Sequence, residues 1–293
     1  MISREQKQLY ILCDMEGASQ ISPENRKALY YGSELWQHEG RRYVTSDLKA
    51  VCEAANEFGI DEIIVNDEHD YGNKEPNVFV HELPTNIKMV KRPHMPGTPR
   101  RMTQKDPFGI VMVGQHAMSG GGGFAPHTIQ SPPIGRITLN GSTIGEIGLE
   151  LALFMGVKFL AIIGEEAAIG EAKTLCPGVV TCPVKNLERN WFPTAEENYP
   201  IIRDKVLQAI RQREEAGSFQ TPSPYRFSLG LNDDYYFDPN KRFALCWLAN
   251  LLFYRLYKGK MEENEVFWET KRIVSGLNTI HMMRMFARKR VQV

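Results

Sequence analysis

Leu9-Tyr10-Ile11-Leu12-Cys13-Asp14-Met15-Glu16-Gly17 is an apolar run that stops abruptly at two carboxylates and a glycine. A short apolar run closed by a glycine-bearing segment predicts a buried β-strand. In an α/β protein such a strand is covered on both faces. Asp14 and Glu16, at its C-terminal tip, then face the crevice where open parallel sheets bind ligands. Two carboxylates held there repel each other and lose hydration, so a positive partner is expected between them. A metal ion is the obvious one.

Working outward, Thr45-Ser46-Asp47 reads as a helix start. Leu48, Val51, Ala55 and Phe58 then form an apolar stripe that ends at Gly59. Glu62-Ile63-Ile64-Val65-Asn66-Asp67 follows as a second strand, and a β-α-β unit of this kind demands a parallel pair. Gly109–Gly114 is a third inner strand, and Arg136–Leu139 alternates like a strand before a turn at Asn140-Gly141. A helix from Glu146 to about Phe154 leads to Val157–Gly164, the longest apolar strand, then to a helix Glu165–Leu175 and a short strand Val179–Val184. The alternation predicts a three-layer α/β/α sandwich around a mostly parallel sheet. Composition shifts near residue 186, so residues 1–186 are expected to form the metal-binding α/β domain and 187–293 a smaller α+β domain. The second part reads as a charged helix from Ala195 to about Glu215, a proline-rich linker Thr221–Pro224 and a strand Tyr225–Leu231. Two helices, near 239–257 and 262–288, are expected to end it.

The bulk composition excludes more than it identifies. Lys plus Arg equal Asp plus Glu at 35 each, so no general attraction to nucleic acid or membrane is expected. The basic group Arg284, Arg288, Lys289, Arg290 reads as a solvated helix end. There is no apolar run of the ~18 residues that would suggest a membrane span. No signal-peptide pattern precedes the first strand. Five cysteines without a CxxC pair suit buried thiols in a reducing compartment, and the cytoplasm is expected.

The remaining ligand-type residues fall at comparable positions. His69 lies just past the second strand, His116 just past the third, and Glu146 opens a helix that follows a strand. With Asp14 and Glu16 they give five side chains that a parallel sheet would gather along one edge. Carboxylate and imidazole without cysteine suit zinc or manganese in a catalytic site. Five ligands exceed what one open zinc site needs, so two ions sharing a carboxylate fit better. Any one of these residues alone reads more simply as surface or structure; their recurrence at four strand ends reverses that. Asp67, Glu68 and Asp70 read either as a solvated acidic turn or as a partner orienting His69. His127 follows Gly120–Gly123, a segment free to move, and reads either as a loop histidine or as a proton donor or acceptor over the metals. Glu165-Glu166 reads as a helix N-terminal charge pair, with a role in orienting a metal ligand left open.

Asp14-Met15-Glu16-Gly17, Val65-Asn66-Asp67-Glu68-His69, Gly114-Gln115-His116-Ala117, Pro126-His127 and Gly145-Glu146-Ile147-Gly148-Leu149 resemble, in order and spacing, the motifs of the bacterial zinc D-aminopeptidase family. The resemblance covers roughly residues 8 to 185. It implies release of N-terminal D-amino acids from short peptides and two zinc ions bound by Asp14, Glu16, His69, His116 and Glu146. It also implies a catalytic role for His127 and a ring-shaped homo-oligomer. The tetraglycine before His127 departs from the family pattern, and little beyond residue 186 is recognisable. An amidase acting on another small amide would keep the same motifs. A dimetal phosphoesterase and a non-catalytic, metal-stabilised ring protein are the rivals; the first is disfavoured because no Arg or Lys flanks the motifs.

Overall fold

The structure, a computed structural model, describes residues 6–72, 74–90, 101–129, 132–238 and 258–290. In chain order the described strands are β1 (Gln8–Cys13), β2 (Glu62–Asp67), β3 (Ile87–Met89), β4 (Gly109–Gln115), β5 (Ile134–Leu139), β6 (Ser142–Thr143), β7 (Phe159–Glu165), β8 (Val180–Lys185), β9 (Tyr225–Leu231), β10 (Tyr235–Phe237), β11 (Lys260–Met261), β12 (Glu265–Thr270) and β13 (Ala287–Lys289).

Six of them build the expected parallel sheet, in the order β3-β2-β1-β4-β7-β8, with every neighbouring pair parallel. The chain moves from β1 to β2 and β3 on one side, then returns to the other side of β1 with β4. The order therefore reverses between β1 and β4, and the crevice outside the C-terminal ends of such a pair is where open α/β sheets place ligands.

Side chains alternate across the sheet. Leu9, Ile11, Cys13, Ile63, Val65, Val111 and Val113 join one buried cluster with residues of helices Arg41–Phe58 and Ala195–Arg211. Tyr10 lies between them in sequence and stacks on Phe154, with ring centroids 4.3 Å apart. The helix Ala195–Arg211 begins with a capping box in which Thr194 and Glu197 satisfy each other's backbone amides.

Contacts divide the chain into two compact units. The first comprises Met1–Ala117, Gly121–Ala125 and Phe154–Phe219; the second comprises Met118–Gly120, Pro126–Leu153 and Gln220–Val293. A single cut at residue 186 does not describe this division. Helix Ala195–Arg211 belongs to the first unit because its buried face, including Ile202, Val206 and Ile210, joins the same cluster as the sheet. The second unit takes β5 and β6, an antiparallel hairpin that turns at Asn140-Gly141 and pairs through β5 with β9. Its five-stranded sheet runs β11-β12-β9-β5-β6, all antiparallel, with a separate β10-β13 pair.

Three further expectations change. Thr45-Ser46-Asp47 does not start a helix: a π-turn at Trp36–Gly40 runs directly into Arg41–Phe58. The Thr45 hydroxyl donates to the Arg41 carbonyl at 2.6 Å, and the Asp47 carboxylate accepts the Ser19 amide at 2.8 Å. The expected helix at 262–288 is instead strand β12, helix Ile273–Met283 and strand β13. In β12 the buried residues Val266, Trp268 and Thr270 alternate with less buried ones, a period of two. Arg288 consequently lies on a strand, paired with Asp238 at 2.6 Å, rather than on a helix end. The expected helix at 239–257 lies outside the described residues.

Ile11 is fully buried in the central strand, with both neighbouring strands in register. Ile11→Ala is expected to lower the unfolding free energy by about 2–5 kcal/mol, read from urea midpoints at unchanged slope.

Candidate metal centre

Three strand tips in the first unit carry the site. Asp14 and Glu16 follow β1, His69 follows β2 and His116 follows β4. The strands stay paired past their ends, since the Asp14 amide donates to the Val113 carbonyl at 2.9 Å and the Glu68 amide to the Cys13 carbonyl at 2.9 Å. The turns after β1 and β4 then approach so closely that two glycines are required. A Cβ on Gly17 would lie 1.8 Å from the Gln115 carbonyl oxygen. One on Gly114, whose φ is +68°, would lie 2.0 Å from the Asp14 carbonyl oxygen.

This approach brings four of the expected ligands together. His69 Nδ1 is 2.9 Å from Glu16 Oε1 and 3.5 Å from Asp14 Oδ1, and His116 Nε2 is 3.4 Å from Asp14 Oδ2. All four side chains are at most about 6% exposed. Asp14 thus turns one carboxylate oxygen to each imidazole, the arrangement of a carboxylate able to bridge two cations. Asp14, Glu16 and His69 alone offer three ligand atoms within 4.8 Å of one another. The donor set, carboxylate oxygen and imidazole nitrogen without thiolate, fits zinc or manganese.

The electrostatics carry the same message. Burial by itself raises the pKa of Glu16, yet the neighbouring His69 outweighs it and holds the carboxyl well below its ordinary range. Burial by itself lowers that of His69, yet Glu16 and Asp14 hold the imidazole well above its ordinary range. In the metal-free protein a proton on His69 therefore serves as the positive partner of the carboxylates.

Each imidazole is aimed by its other nitrogen, a device common to metal-binding histidines. His69 Nε2 donates to the Leu29 carbonyl at 2.8 Å, and His116 Nδ1 to the Ala117 carbonyl at 2.9 Å. The acidic neighbours of His69 do other things. Asp67 accepts from the amide and side chain of Asn77 at 2.7 and 2.8 Å, and burial pushes its carboxyl up to about 6. Asn77 also donates to the His69 carbonyl at 2.8 Å and accepts from the Trp36 indole at 2.9 Å.

Two residues with structural roles beside the site are not legible as such in the sequence. Lys185, at the end of β8, is wholly buried, with its ammonium on the Glu16 and Ile21 carbonyls and 4.7 Å from the centre of the Phe124 ring. Burial pushes its pKa down to about 8, against the pull of Glu165, Glu16 and Asp47. Glu165, expected as a helix charge, is 2% exposed and accepts the Ala117 and Phe124 amides at 2.7 and 2.6 Å. The only sequence signal was a lysine and a glutamate at the C-terminal ends of neighbouring strands.

Glu146 and His127 are carried by the second unit. Glu146 opens helix Glu146–Leu153 after the β5-β6 hairpin, so it does not extend the row of parallel strand tips as the sequence suggested. Its Oε1 accepts the Ile129 amide and lies 3.9 Å from His127 Nε2. The His127 side chain is 26% exposed, unlike the buried histidines of the first unit. His281, on helix Ile273–Met283, feels Glu146 as well. Burial, with Arg284, pushes it down to about 4.

The profile of the D-aminopeptidase family of peptidases matches residues 8–243. The chain belongs to the D-aminopeptidase family. A D-aminopeptidase of Bacillus subtilis (strain 168) is 27% identical over 180 residues, which span 60% of this chain and 63% of that protein. The fold resembles that of the solved zinc-dependent D-aminopeptidase DppA from Bacillus subtilis, described as a self-compartmentalizing protease. The TM-score is 0.78 over 95% of this chain and 97% of that one, at 20% identity. Within this D-aminopeptidase family chain, the profile match runs well past residue 186 and includes all six of the residues singled out above.

The Glu16–His69 pair sets a pH window for the metal-free protein. The lowered Glu16 contributes stability that is present above about pH 4.5 and lost on acidification. The raised His69 contributes stability that is full below about pH 6.5 and lost as the pH climbs through its raised value. Thermal unfolding of the metal-free protein is expected to show this contribution at its maximum between those limits. His69→Gln is expected to flatten the alkaline side.

Proposed function

We propose that this chain is a zinc-dependent aminopeptidase that releases N-terminal D-amino acids from short peptides. One observation carries the reading: Asp14, Glu16, His69 and His116 converge, buried, at the switch point of the sheet in a member of the D-aminopeptidase family. Asp14, Glu16, His69 and His116 would hold the metal, Glu146 would be the fifth ligand and His127 the catalytic residue. Two zinc ions are expected, and manganese suits the same donors.

Bound zinc supplies Lewis acidity toward the scissile carbonyl and brings the pKa of a bound water toward neutrality. The chain supplies the rest. Burial of the four ligands keeps bulk water from competing for their lone pairs, and the Leu29 and Ala117 carbonyls fix which nitrogen of each imidazole faces inward. His127, more exposed than the ligands, is able to reach substrate, protonating the leaving amine or donating to the tetrahedral oxyanion. Glu146, 3.9 Å away, holds that imidazole within an acidic field.

Lys185 does not supply the cationic clamp that the phosphoesterase alternative needs. Lys185 is buried with its ammonium on two backbone carbonyls and offers nothing to phosphoryl oxygens. The self-compartmentalizing relative supports assembly of this chain into a closed homo-oligomer that admits only short peptides. Among the described residues no helix is long and apolar enough to cross a membrane, and the five cysteines without a CxxC pair support a cytoplasmic location.

Zinc-loaded protein is expected to hydrolyse short peptides with an N-terminal D-residue faster than their L-counterparts, and phosphoesters not at all. His127→Ala is expected to keep its zinc, by elemental analysis, and to lose about 10²–10⁴-fold in kcat. Full turnover in that variant would remove the role given to His127. Wild-type protein that binds zinc but cleaves only phosphoesters would overturn the reading.

A further inference from the structure

Glu165 is a buried acidic side chain beside the centre to which the metal binding and proton transfer described above give no role. Its carboxylate is buried between two turns of the main chain. Oε1 accepts the Ala117 amide at 2.7 Å and Oε2 accepts the Phe124 amide at 2.6 Å. The space around it is fully committed: a Cβ on Gly123 would lie 2.6 Å from the carboxylate, and Gly123 itself has a φ of +89°. The neighbouring cation is Lys185, which packs on the ring of the same Phe124.

The Ala117 backbone, through the N–H of one peptide group and the carbonyl of the next, connects Glu165 to the ligands. Its N–H is held by Glu165, while its carbonyl accepts from His116 Nδ1 at 2.9 Å. A carbonyl only accepts, so Nδ1 carries a proton; in the neutral ring the lone pair is then on Nε2, the nitrogen that faces Asp14. The second oxygen of Glu165 fixes Phe124, three residues before His127 in sequence.

We propose that Glu165 is a positioning residue of the metal centre: by holding the Ala117 backbone it sets the tautomer and orientation of His116, and through the Phe124 amide it anchors the glycine loop that leads to His127. The inference deepens the zinc reading and rests on it for the metal, though not for the imidazole. Groups that orient metal-binding histidines are worth about 10–100-fold in metal affinity, and Glu165 acts one peptide further out.

The test uses two variants of the full chain. Glu165→Gln keeps the shape but has one oxygen where two amides must be accepted, and it loses the charge opposite Lys185. Glu165→Asp keeps the charge but is one methylene too short to hold both amides. Zinc affinity, by competition with a chromophoric chelator, is expected to fall about tenfold in both variants. In metal-free protein, the ¹⁵N shifts of His116 are expected to show an Nδ1-protonated ring in wild type and a mixture of tautomers in both variants. Should Glu165→Gln fail to fold, Glu165→Asp decides. Full recovery of zinc affinity and of the His116 tautomer in Glu165→Asp would mean that Glu165 serves only as counter-charge to Lys185, and would overturn the proposal. Wild-type protein that binds no zinc defeats the zinc reading instead, and the tautomer measurement still decides the role of Glu165.

Discussion

The carboxylate of Asp14, held out of water between two imidazoles, is the constraint on which the rest of the centre depends. A buried pair of carboxylates without compensation costs several kcal/mol per charge. The first unit answers with His69 on one oxygen of Asp14 and His116 on the other, and with Glu16 on the far side of His69. In the metal-free state a proton held on His69 offsets one of the two negative charges. A metal cation bound in its place would offset more of them, so protons and metal compete for the same lone pairs. The same cluster therefore reads as a source of stability and as a binding site.

Such convergence needs backbones closer than side chains ordinarily allow. Gly17 and Gly114 meet that need where the turns after β1 and β4 cross, and Lys185 ties the loop from Glu16 to Ile21 down onto the end of β8. The buried lysine is expensive, as its lowered pKa shows. The fold offsets it with two carbonyls, the Phe124 ring and the nearby carboxylates of Glu165, Glu16 and Asp47. The catalytic edge of the sheet is thus held by main-chain contacts from buried charges as much as by apolar packing.

The sequence revealed the parallel sheet because apolar runs such as Leu9–Cys13 and Val157–Gly164 have little other use, and the β-α-β spacing leaves one topology. It pointed to Asp14, Glu16, His69 and His116, which the structure brings together, because each lies within a few residues of the end of such a run. Three things were hidden. Glu146 shares the ligand pattern, but the hairpin before it belongs to the second unit, a fact carried by long-range pairing of β5 with β9. Helix Ala195–Arg211 looked like the start of a new domain because its charged face dominates its composition, whereas its apolar face closes the first core. The roles of Glu165 and Lys185 depend on backbone amides and carbonyls far away in sequence, and no spacing rule exposes those.

The most direct measurement is X-ray absorption at the zinc edge of the loaded, full-length protein. Ligation by these carboxylates and imidazoles requires a shell of nitrogen and oxygen at about 2.0–2.1 Å with the outer scattering of two histidine rings, lost stepwise in His69→Ala and His116→Ala. A sulfur shell near ~2.3 Å, or a shell unchanged in both variants, would place the metal on cysteines or elsewhere and contradict the convergence on Asp14.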